Sequence, residues 1–339
     1  MATPYTGSGP YCYANSLVMV LGPDAPAPVV VETLTGSPYG VQLIGGTLPM
    51  FDPYGWDPEL GLDAAAGLLG YRCTRTSGGT PDEAMARLRT AAARGPVLVG
   101  PVDLGLLLYR PGTPLPGGGD HYVVVLAVEG DTVLLHDPEG HPYATLGVAP
   151  FLEAWRADSV TYTDTPYVMR TDFVREEDVT EEEALRRSLP GAVRWLSGRE
   201  DLPVPPGTLG GAAAVEGLAA LVSRGLDPQT RELLGDFAIR VGARRLNDAA
   251  RGLARLGLWE PAAVAAGQAR ALGALQGPLV AGDDRALVAG LRRLAPGYER
   301  WRTSLTEALS TGAPVTGEPA VPVGGTPGSG RLSKVDLDW

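Results

Sequence analysis

The sequence predicts an α+β domain followed by an all-helical one. Two apolar runs, joined by a turn that contains Gly130, predict a β-hairpin over residues 119–138. A Gly/Ser/Pro-rich loop followed by the apolar segment 14–21 predicts a helix near the N-terminus. From about residue 172 the chain consists mainly of Ala/Leu/Arg-rich stretches without a strand signal. The predicted units are an α+β domain, a helical domain and a disordered tail, at residues 1–171, 172–310 and 311–339 respectively.

Composition excludes several classes of function. The chain has 339 residues and a formal net charge of −11 at pH 7, which argues against nucleic acid or an anionic membrane surface as main partner. The N-terminus lacks the order of a signal peptide, and no apolar run approaches the roughly 20 residues of a membrane span, so we expect a cytoplasmic protein. Because the cysteines are only Cys12 and Cys73, we expect neither a disulfide framework nor a cysteine-based zinc site, and no metal or cofactor.

The other elements of the first domain follow from local patterns. Helices are expected at 28–34, 63–69, 81–94 and 151–157, and strands at 71–76, 96–102 and 159–169. The loop 51–58 carries several aromatic residues, among them Tyr54 and Trp56. This composition fits a substrate wall and a surface loop that packs its own rings equally well.

Six helices are expected in the second domain, at 181–197, 210–224, 228–256, 260–275, 282–294 and 297–310. Thr180 is the predicted N-cap of the first, since an acidic run suits the positive end of a helix. Within a continuous helix 228–256, four arginines would fall within about 60° of one another: Arg240, Arg244, Arg251 and Arg255. Such an arginine stripe is a candidate docking surface for an acidic carrier protein, or a solvated face with local ion pairs to residues such as Asp248.

The two ends of the hairpin carry residues with catalytic chemistry. His121 opens the first strand and Asp137 closes the second. A two-residue turn would put them on opposite faces, whereas a three-residue turn or an equivalent bulge puts them on one face, roughly 7–8 Å apart at the backbone. We expect the shared face, because a histidine oriented by a carboxylate can activate a thiol or hydroxyl.

Cys12 is the candidate nucleophile. It lies at the start of the predicted N-terminal helix, where the macrodipole favours a thiolate, and we therefore expect a depressed pKa. A small buried structural cysteine is the alternative, and it is how we interpret Cys73. Neither His136, on the other face of its strand, nor His141, in an exposed turn, is assigned a role.

The order of these residues resembles a known fold. A cysteine at the head of an N-terminal helix, then Asp-His-Tyr-Val-Val-Val and His-Asp-Pro on a hairpin, resembles the papain-like cysteine protease fold. More narrowly, the chain is similar to the bacteriocin-leader-processing cysteine peptidases and, given its helical second half, to the butirosin biosynthesis protein H family. The likeness covers mainly residues 8–22 and 117–140.

The resemblance implies an activity of specialised metabolism. Members of the second family are acyltransferases, in which a cysteine takes an acyl group from a carrier protein and passes it to an amine. It therefore implies Cys12 as nucleophile, His121 as base and Asp137 as the residue that orients it. The implied partners are an acyl carrier protein or another thioester donor, and a small-molecule amine acceptor.

One feature departs from the peptidases. They carry a glutamine a few residues before the cysteine as oxyanion donor, and this chain offers only Thr6 and Ser8 there. Asn15 is another candidate for this role. The oxyanion donor is thus open, and proteolysis becomes a weaker expectation than acyl transfer.

Other residues are expected to mark where the substrates arrive, namely Ser16, Tyr54, Trp56 and the arginine stripe. If the helical half covers the cleft, it would exclude water and favour an amine acceptor. Its simplest other role is homodimerisation. The expected function is thus a cysteine acyltransferase, and the alternatives are a cysteine hydrolase (peptidase or thioesterase) or a non-catalytic papain-like binding module.

Overall fold

The computed structural model describes residues 10–310, so Thr6, Ser8 and the predicted tail lie outside the described residues. The helices are α1 (Cys12–Leu21), α2 (Pro28–Leu34), α3 (Pro58–Leu68), α4 (Pro81–Ala92), α5 (Val148–Arg156), α6 (Glu181–Leu196), α7 (Gly211–Arg224), α8 (Pro228–Leu233), α9 (Ile239–Arg255), α10 (Trp259–Gly273), α11 (Gln276–Val280), α12 (Asp284–Leu294) and α13 (Pro296–Ser310). The strands are β1 (Gln42–Ile44), β2 (Leu48–Met50), β3 (Tyr71–Thr76), β4 (Val97–Asp103), β5 (Asp120–Glu129), β6 (Thr132–Asp137), β7 (His141–Gly147), β8 (Met169–Arg175) and β9 (Leu209–Gly210).

Two antiparallel sheets organise the strands. The larger has six strands in the order β3-β8-β4-β5-β6-β7, and the smaller has three in the order β2-β1-β9. From α6 onward the described chain is helical apart from β9. The predicted α+β class, with antiparallel strands and a helical C-terminal region, is confirmed at this level.

The larger sheet has a hydrophobic core on each face. Tyr122 and Leu98 belong to a core shared with α1 and the helical half, whereas Val123 and Val125 belong to a second core with α4 and α5. This division follows the alternation of side chains along a strand. The α1 helix is tied to β5 by Ser16, whose buried Oγ donates to the backbone oxygen of Tyr122 at 3.2 Å.

A bulge in the hairpin places His121 and Asp137 on the same face, as expected. Glu129 pairs with Thr132, so the turn contains two residues and not three. The register then shifts between Val125 and Ala127, where β5 has one residue more than β6. That extra residue restores the shared face of His121 and Asp137 that a two-residue turn alone would lose.

Several local predictions were wrong. The region 159–168 is a loop, and the predicted strand begins only at Met169, where the chain pairs with β3 and β4. The expected helix 63–69 starts earlier, at Pro58, because the Asp57 side chain accepts from the backbone N–H of Leu60 and caps it. The helical half contains a strand after all, since Leu209 and Gly210 pair with β1.

The helical half packs on the first half through a common core. Leu17 of α1 and Val31 of α2 share a hydrophobic cluster with Leu246 and Leu253 of α9. Thr180 caps α6 as predicted, accepting from the backbone N–H of Glu183. The helix predicted at 228–256 consists of α8, a π-helical turn (Leu234–Ala238) and α9. Within residues 10–310, no helix has both the length and the apolarity to cross a bilayer.

Candidate functional site

Cys12 is the first residue of α1, as predicted. Its neighbour Tyr11 is the N-cap residue, with a left-handed backbone (φ 85°) and no capping side chain. The N–H groups in the first turn of a helix have no partner within the helix, and they lie at its positive end. Backbone N–H groups of this kind can hold an oxyanion.

His121 and Asp137 meet directly. The Nε2 atom of His121 lies 2.7 Å from Oδ1 of Asp137, and both side chains are buried. The imidazole of His121 lies close enough to the Cys12 thiol for its charge to lower the pKa of that thiol. Because Nε2 contacts the carboxylate, Nδ1 is the ring nitrogen that remains available to the thiol. The structure thus brings together the three residues that the sequence singled out.

Asp137 is held by further donors. Its Oδ2 accepts from the hydroxyl of Tyr109 and from Nη1 of Arg110, each at 3.1 Å, and Oδ1 also accepts from the backbone N–H of Glu139. Sequence reasoning missed Tyr109 and Arg110, because they lie at the start of a Gly/Pro-rich loop with no pattern of its own. They fix the carboxylate that orients His121.

Charge stabilises the imidazolium form of His121. Burial alone would lower its pKa, but the charges of Asp137 and Cys12, and hydrogen bonds to both, raise the pKa to about 10. Burial alone would raise the pKa of Asp137. The charge of His121, the hydrogen bond from His121 and the hydrogen bond from the backbone of Glu139 instead hold this pKa well below its ordinary range. At neutral pH the two residues therefore form an ion pair.

The expected depression of the Cys12 pKa is wrong. Burial raises the pKa of the thiol above its ordinary value, and the charge and hydrogen bond of His121 offset this only in part. The nearby charges of Asp120 and Glu139 raise it further. The helix N-terminus and the histidine were both expected correctly, but desolvation outweighs them.

A cavity of about 740 Å³ opens onto the thiol. Cys12, His121 and Trp56 line it from the first half, and Phe237 and Arg240 line it from the helical half. We call it the Cys12 cavity. Its size is that of a small-molecule site, and its wall includes the helical half.

The tentative substrate residues divide into two groups. Trp56 lines the Cys12 cavity, where its ring lies 5.4 Å from the guanidinium of Arg245. Tyr54 lines a separate cavity of about 390 Å³. The hydroxyl of Ser16 binds the backbone of β5, and the side-chain amide of Asn15 donates to the backbone oxygen of Tyr11 at 2.9 Å. Neither residue lines the Cys12 cavity. Of these candidates the structure places Trp56 at the Cys12 cavity and Ser16, Tyr54 and Asn15 outside its lining.

The arginine stripe is exposed but not uniform. Arg240 lines the Cys12 cavity, and Arg244 lies over the ring of Tyr11 at 4.5 Å. Arg255 pairs with Glu181 at 2.8 Å. Arg244 also pairs with Asp248 at 3.7 Å, so the stripe forms local ion pairs at both Arg244 and Arg255, whereas carrier docking stays a prediction.

A buried charged network lies against the cavity. Arg245 of α9 donates to Glu32 at 2.8 Å, to Asp52 at 3.2 Å and to the hydroxyl of Tyr13 at 2.7 Å. Sequence reasoning missed Arg245, although a signal existed. It lies four residues after the buried Val241, on the apolar face of the helix, where an arginine must be paired.

The remaining histidines and Cys73 have structural surroundings. His136 is buried, and its Nδ1 accepts from the backbone N–H of Tyr143 at 3.0 Å. His141 begins β7 and is half-buried beside the ring of Tyr109, so its expected exposure was wrong. Cys73 lies on β3, where burial raises its pKa as well. Among the described residues, no group of three or more His, Cys, Asp or Glu side chains could hold a metal ion.

Comparison with known proteins identifies one similar family and one relative. Residues 205–306, which include α9, match the YobF C-terminal domain family. The chain is 31% identical over 161 residues to "Uncharacterized protein YobF" of Bacillus subtilis (strain 168), an alignment that covers 47% of this chain and 52% of that protein. The chain thus spans about half the length of the curated relative that it matches.

Proposed function

We propose that this protein is a cysteine-dependent acyltransferase on a papain-like fold. The observation that carries the proposal is the juxtaposition of Cys12, His121 and Asp137, with Cys12 and His121 at the wall of the Cys12 cavity and Nε2 of His121 2.7 Å from Oδ1 of Asp137. A thiol, an imidazole and a carboxylate in this order are the parts of nucleophilic acyl transfer. The α1 helix packed on an antiparallel sheet, with the thiol at its N-terminus, supports the papain-like assignment.

The proposed reaction has two steps. The thiolate form of Cys12, which arises when the thiol loses its proton to solvent, attacks the carbonyl carbon of a thioester. A new C–S bond forms, the C–S bond of the donor breaks, and the donor leaves as a thiol that takes a proton from His121. An amine then attacks the acyl-Cys12 carbonyl, neutral His121 accepts the amine proton, and the acyl C–S bond breaks, which releases an amide and restores the Cys12 thiolate beside a protonated His121. The first-turn N–H groups of α1 stabilise the oxyanion in both steps.

The raised pKa of Cys12 is compatible with this chemistry. It lowers the thiolate fraction at neutral pH, but a thiolate of higher pKa is intrinsically more nucleophilic. Asp137 keeps His121 in one orientation throughout, because its own position is fixed by Tyr109 and Arg110.

Two features of the helical half favour a carrier-bound donor and an amine acceptor. The cavity wall includes Phe237 and Arg240, which limits the access of water to an acyl-Cys12 intermediate. The exposed Arg240 lies at this wall, and the exposed Arg244 lies over the ring of Tyr11, where both can meet the acidic surface of a carrier protein. Hydrolysis to the free acid is the competing outcome.

The test is detection of the acyl-enzyme by intact mass. The full chain is mixed with short- and medium-chain acyl thioesters of N-acetylcysteamine, and the adduct is located by peptide mapping. We expect an added acyl group on Cys12 that is absent in Cys12→Ala and retained in Cys73→Ser. Amines are then added, and amide and free acid are quantified. The absence of any adduct on Cys12 with all donors would refute the proposal.

A further inference from the structure

Both residues that flank Cys12 in sequence are bound by α9. The hydroxyl of Tyr11 donates to Oδ2 of Asp248 at 3.0 Å, and the hydroxyl of Tyr13 accepts from Nη2 of Arg245 at 2.7 Å. All four side chains are buried. Two helical residues more than 230 positions away in sequence thus hold the start of α1 on either side of the thiol.

The backbone at Tyr11 requires such support. A φ of 85° is strained in a residue other than glycine, and it persists only where the surroundings hold it. The ring of Tyr11 packs under the guanidinium of Arg244, and its hydroxyl is bound to Asp248. Because Tyr11 is the N-cap residue, its conformation determines the direction of the first N–H groups of α1 and the position of Cys12.

The supporting helix is itself fixed in place. Arg245 also binds Glu32 of α2 and Asp52 of the loop before α3. A Cβ atom at Gly242 would lie 2.4 Å from Cβ of Phe51, so α9 contacts that loop at a distance that only glycine permits. The helix that binds Tyr11 and Tyr13 is therefore itself bonded to α2 and to the loop before α3.

We propose that Asp248 and Arg245 are positioning residues for Cys12, acting through Tyr11 and Tyr13. They hold the thiol against His121 and aim the first-turn N–H groups at the site of the oxyanion. Asp248 does not line the Cys12 cavity, so its effect on the thiol passes through Tyr11. The inference rests on the proposed function only in taking Cys12 as the nucleophile.

The test measures the thiol itself as well as acyl transfer. Asp248→Ala and Tyr11→Phe each remove the same hydrogen bond, whereas Asp248→Asn keeps an oxygen that can accept it. Tyr298→Phe is the matched control, because the buried hydroxyl of Tyr298 has no hydrogen-bond partner among the described residues. Each variant is compared with the wild-type chain in its rate of iodoacetamide labelling at Cys12, with Cys73 as internal reference, and in its melting temperature.

We expect Asp248→Ala and Tyr11→Phe to label Cys12 at least about threefold more slowly at pH 8, because a displaced thiol loses the charge of His121 that lowers its pKa. The variant that combines Asp248→Ala with Tyr11→Phe should label Cys12 no more slowly than either single variant, because both changes remove the same hydrogen bond. Asp248→Asn and Tyr298→Phe should label at the wild-type rate. Wild-type labelling in a folded Asp248→Ala or Tyr11→Phe protein, or additive effects, would overturn the inference.

The two proposals fail in different ways. If no thioester acylates the wild-type chain while the labelling pattern holds, the proposed reaction is wrong and the positioning role stands. If acylation occurs but is equally fast in Asp248→Ala, Tyr11→Phe and the wild type, the positioning role is wrong and the reaction stands.

Discussion

The hairpin of β5 and β6 and the helix α9 both border Cys12, but they act on it differently. The hairpin supplies the ion pair of His121 and Asp137, which contacts the thiol through the imidazole. The helix supplies Asp248 and Arg245, which bind the neighbouring tyrosines and not the thiol. On the roles proposed above, the protonation and the placement of one sulfur atom come from separate parts of the chain. Changes in the hairpin should therefore alter the chemistry far more than changes in the helical half.

The largest effect is expected for His121→Ala. Without the imidazole, neither the donor thiol nor the amine can exchange a proton at the site, and acyl transfer should fall by roughly 10³-fold or more. The measurement is the single-turnover rate of acyl-Cys12 formation and decay. The control is His136→Ala, a buried histidine on the neighbouring strand that does not line the cavity. Equal losses in both variants would indicate a folding defect and not a catalytic role.

A smaller effect, on stability, is expected for Asp137→Asn. The variant leaves His121 and Arg110 without their buried carboxylate, which should cost about 3 kcal/mol of the free energy of unfolding at pH 5.5. Because the pKa of His121 is raised to about 10, its part of this stability is fully present below about pH 6.5 and is lost as the pH rises through 10.

The depressed pKa of Asp137 gives the opposite limit. Its contribution is present above about pH 4 and is lost as the pH falls below that value. Urea unfolding at pH 5.5, 8 and 10 should therefore show a difference between wild type and Asp137→Asn that shrinks toward pH 10. Asp131→Asn, in the exposed hairpin turn, is the control. A difference that does not change with pH would contradict the ion pair.

The pH dependence of Cys12 alkylation tests how burial and His121 together set the pKa of the thiol. Because burial raises the pKa of Cys12, the rate of its alkylation should be low at pH 7 and rise about tenfold per pH unit to at least pH 9. The His121→Ala variant loses the positive charge that lowers the pKa of Cys12. Labelling of Cys12 at pH 8 should therefore slow several-fold, while labelling of Cys73 is unaffected. A plateau in the wild-type rate already at pH 7 would show a depressed pKa instead.

The smallest effect is expected in the helical wall of the cavity. Phe237→Ala removes a ring that borders the Cys12 cavity, so more water should reach the acyl-enzyme. The ratio of free acid to amide, at a fixed amine concentration, should rise about threefold. Val280→Ala is the control, since Val280 is an exposed apolar residue of the helical half that does not line the cavity. An unchanged ratio in Phe237→Ala would mean that the wall does not control water.

The sequence predicted those parts of the site that depend on local patterns. Cys12 was placed correctly because a Gly/Ser/Pro loop and an apolar run define the start of α1. His121 and Asp137 were placed on one face because their chemistry required it. The bulge that achieves this lies among apolar residues, between Val125 and Ala127, and no residue there signals it.

The rest depends on contacts between distant segments. Arg110 binds Asp137 across 27 positions and Arg245 binds Glu32 across 213, and no local pattern reports such pairs. The pKa of Cys12 was misjudged for the same reason, because the burial that raises it comes from packing. The short β9 was missed because two residues carry no periodicity, and only their pairing with β1 makes them a strand.

The link between α1 and α9 also has a consequence for the order in which the protein is made. A nascent chain that has emerged to residue 171 already carries Cys12, His121 and Asp137. It lacks Asp248 and Arg245, so the buried Glu32 has no cation and Tyr11 has no acceptor. The ribosome adds these residues some 75 positions later. On the proposed positioning role, the thiol is held against His121 only after these residues have been made, and a product truncated at residue 171 would lack both hydrogen bonds that hold the start of α1.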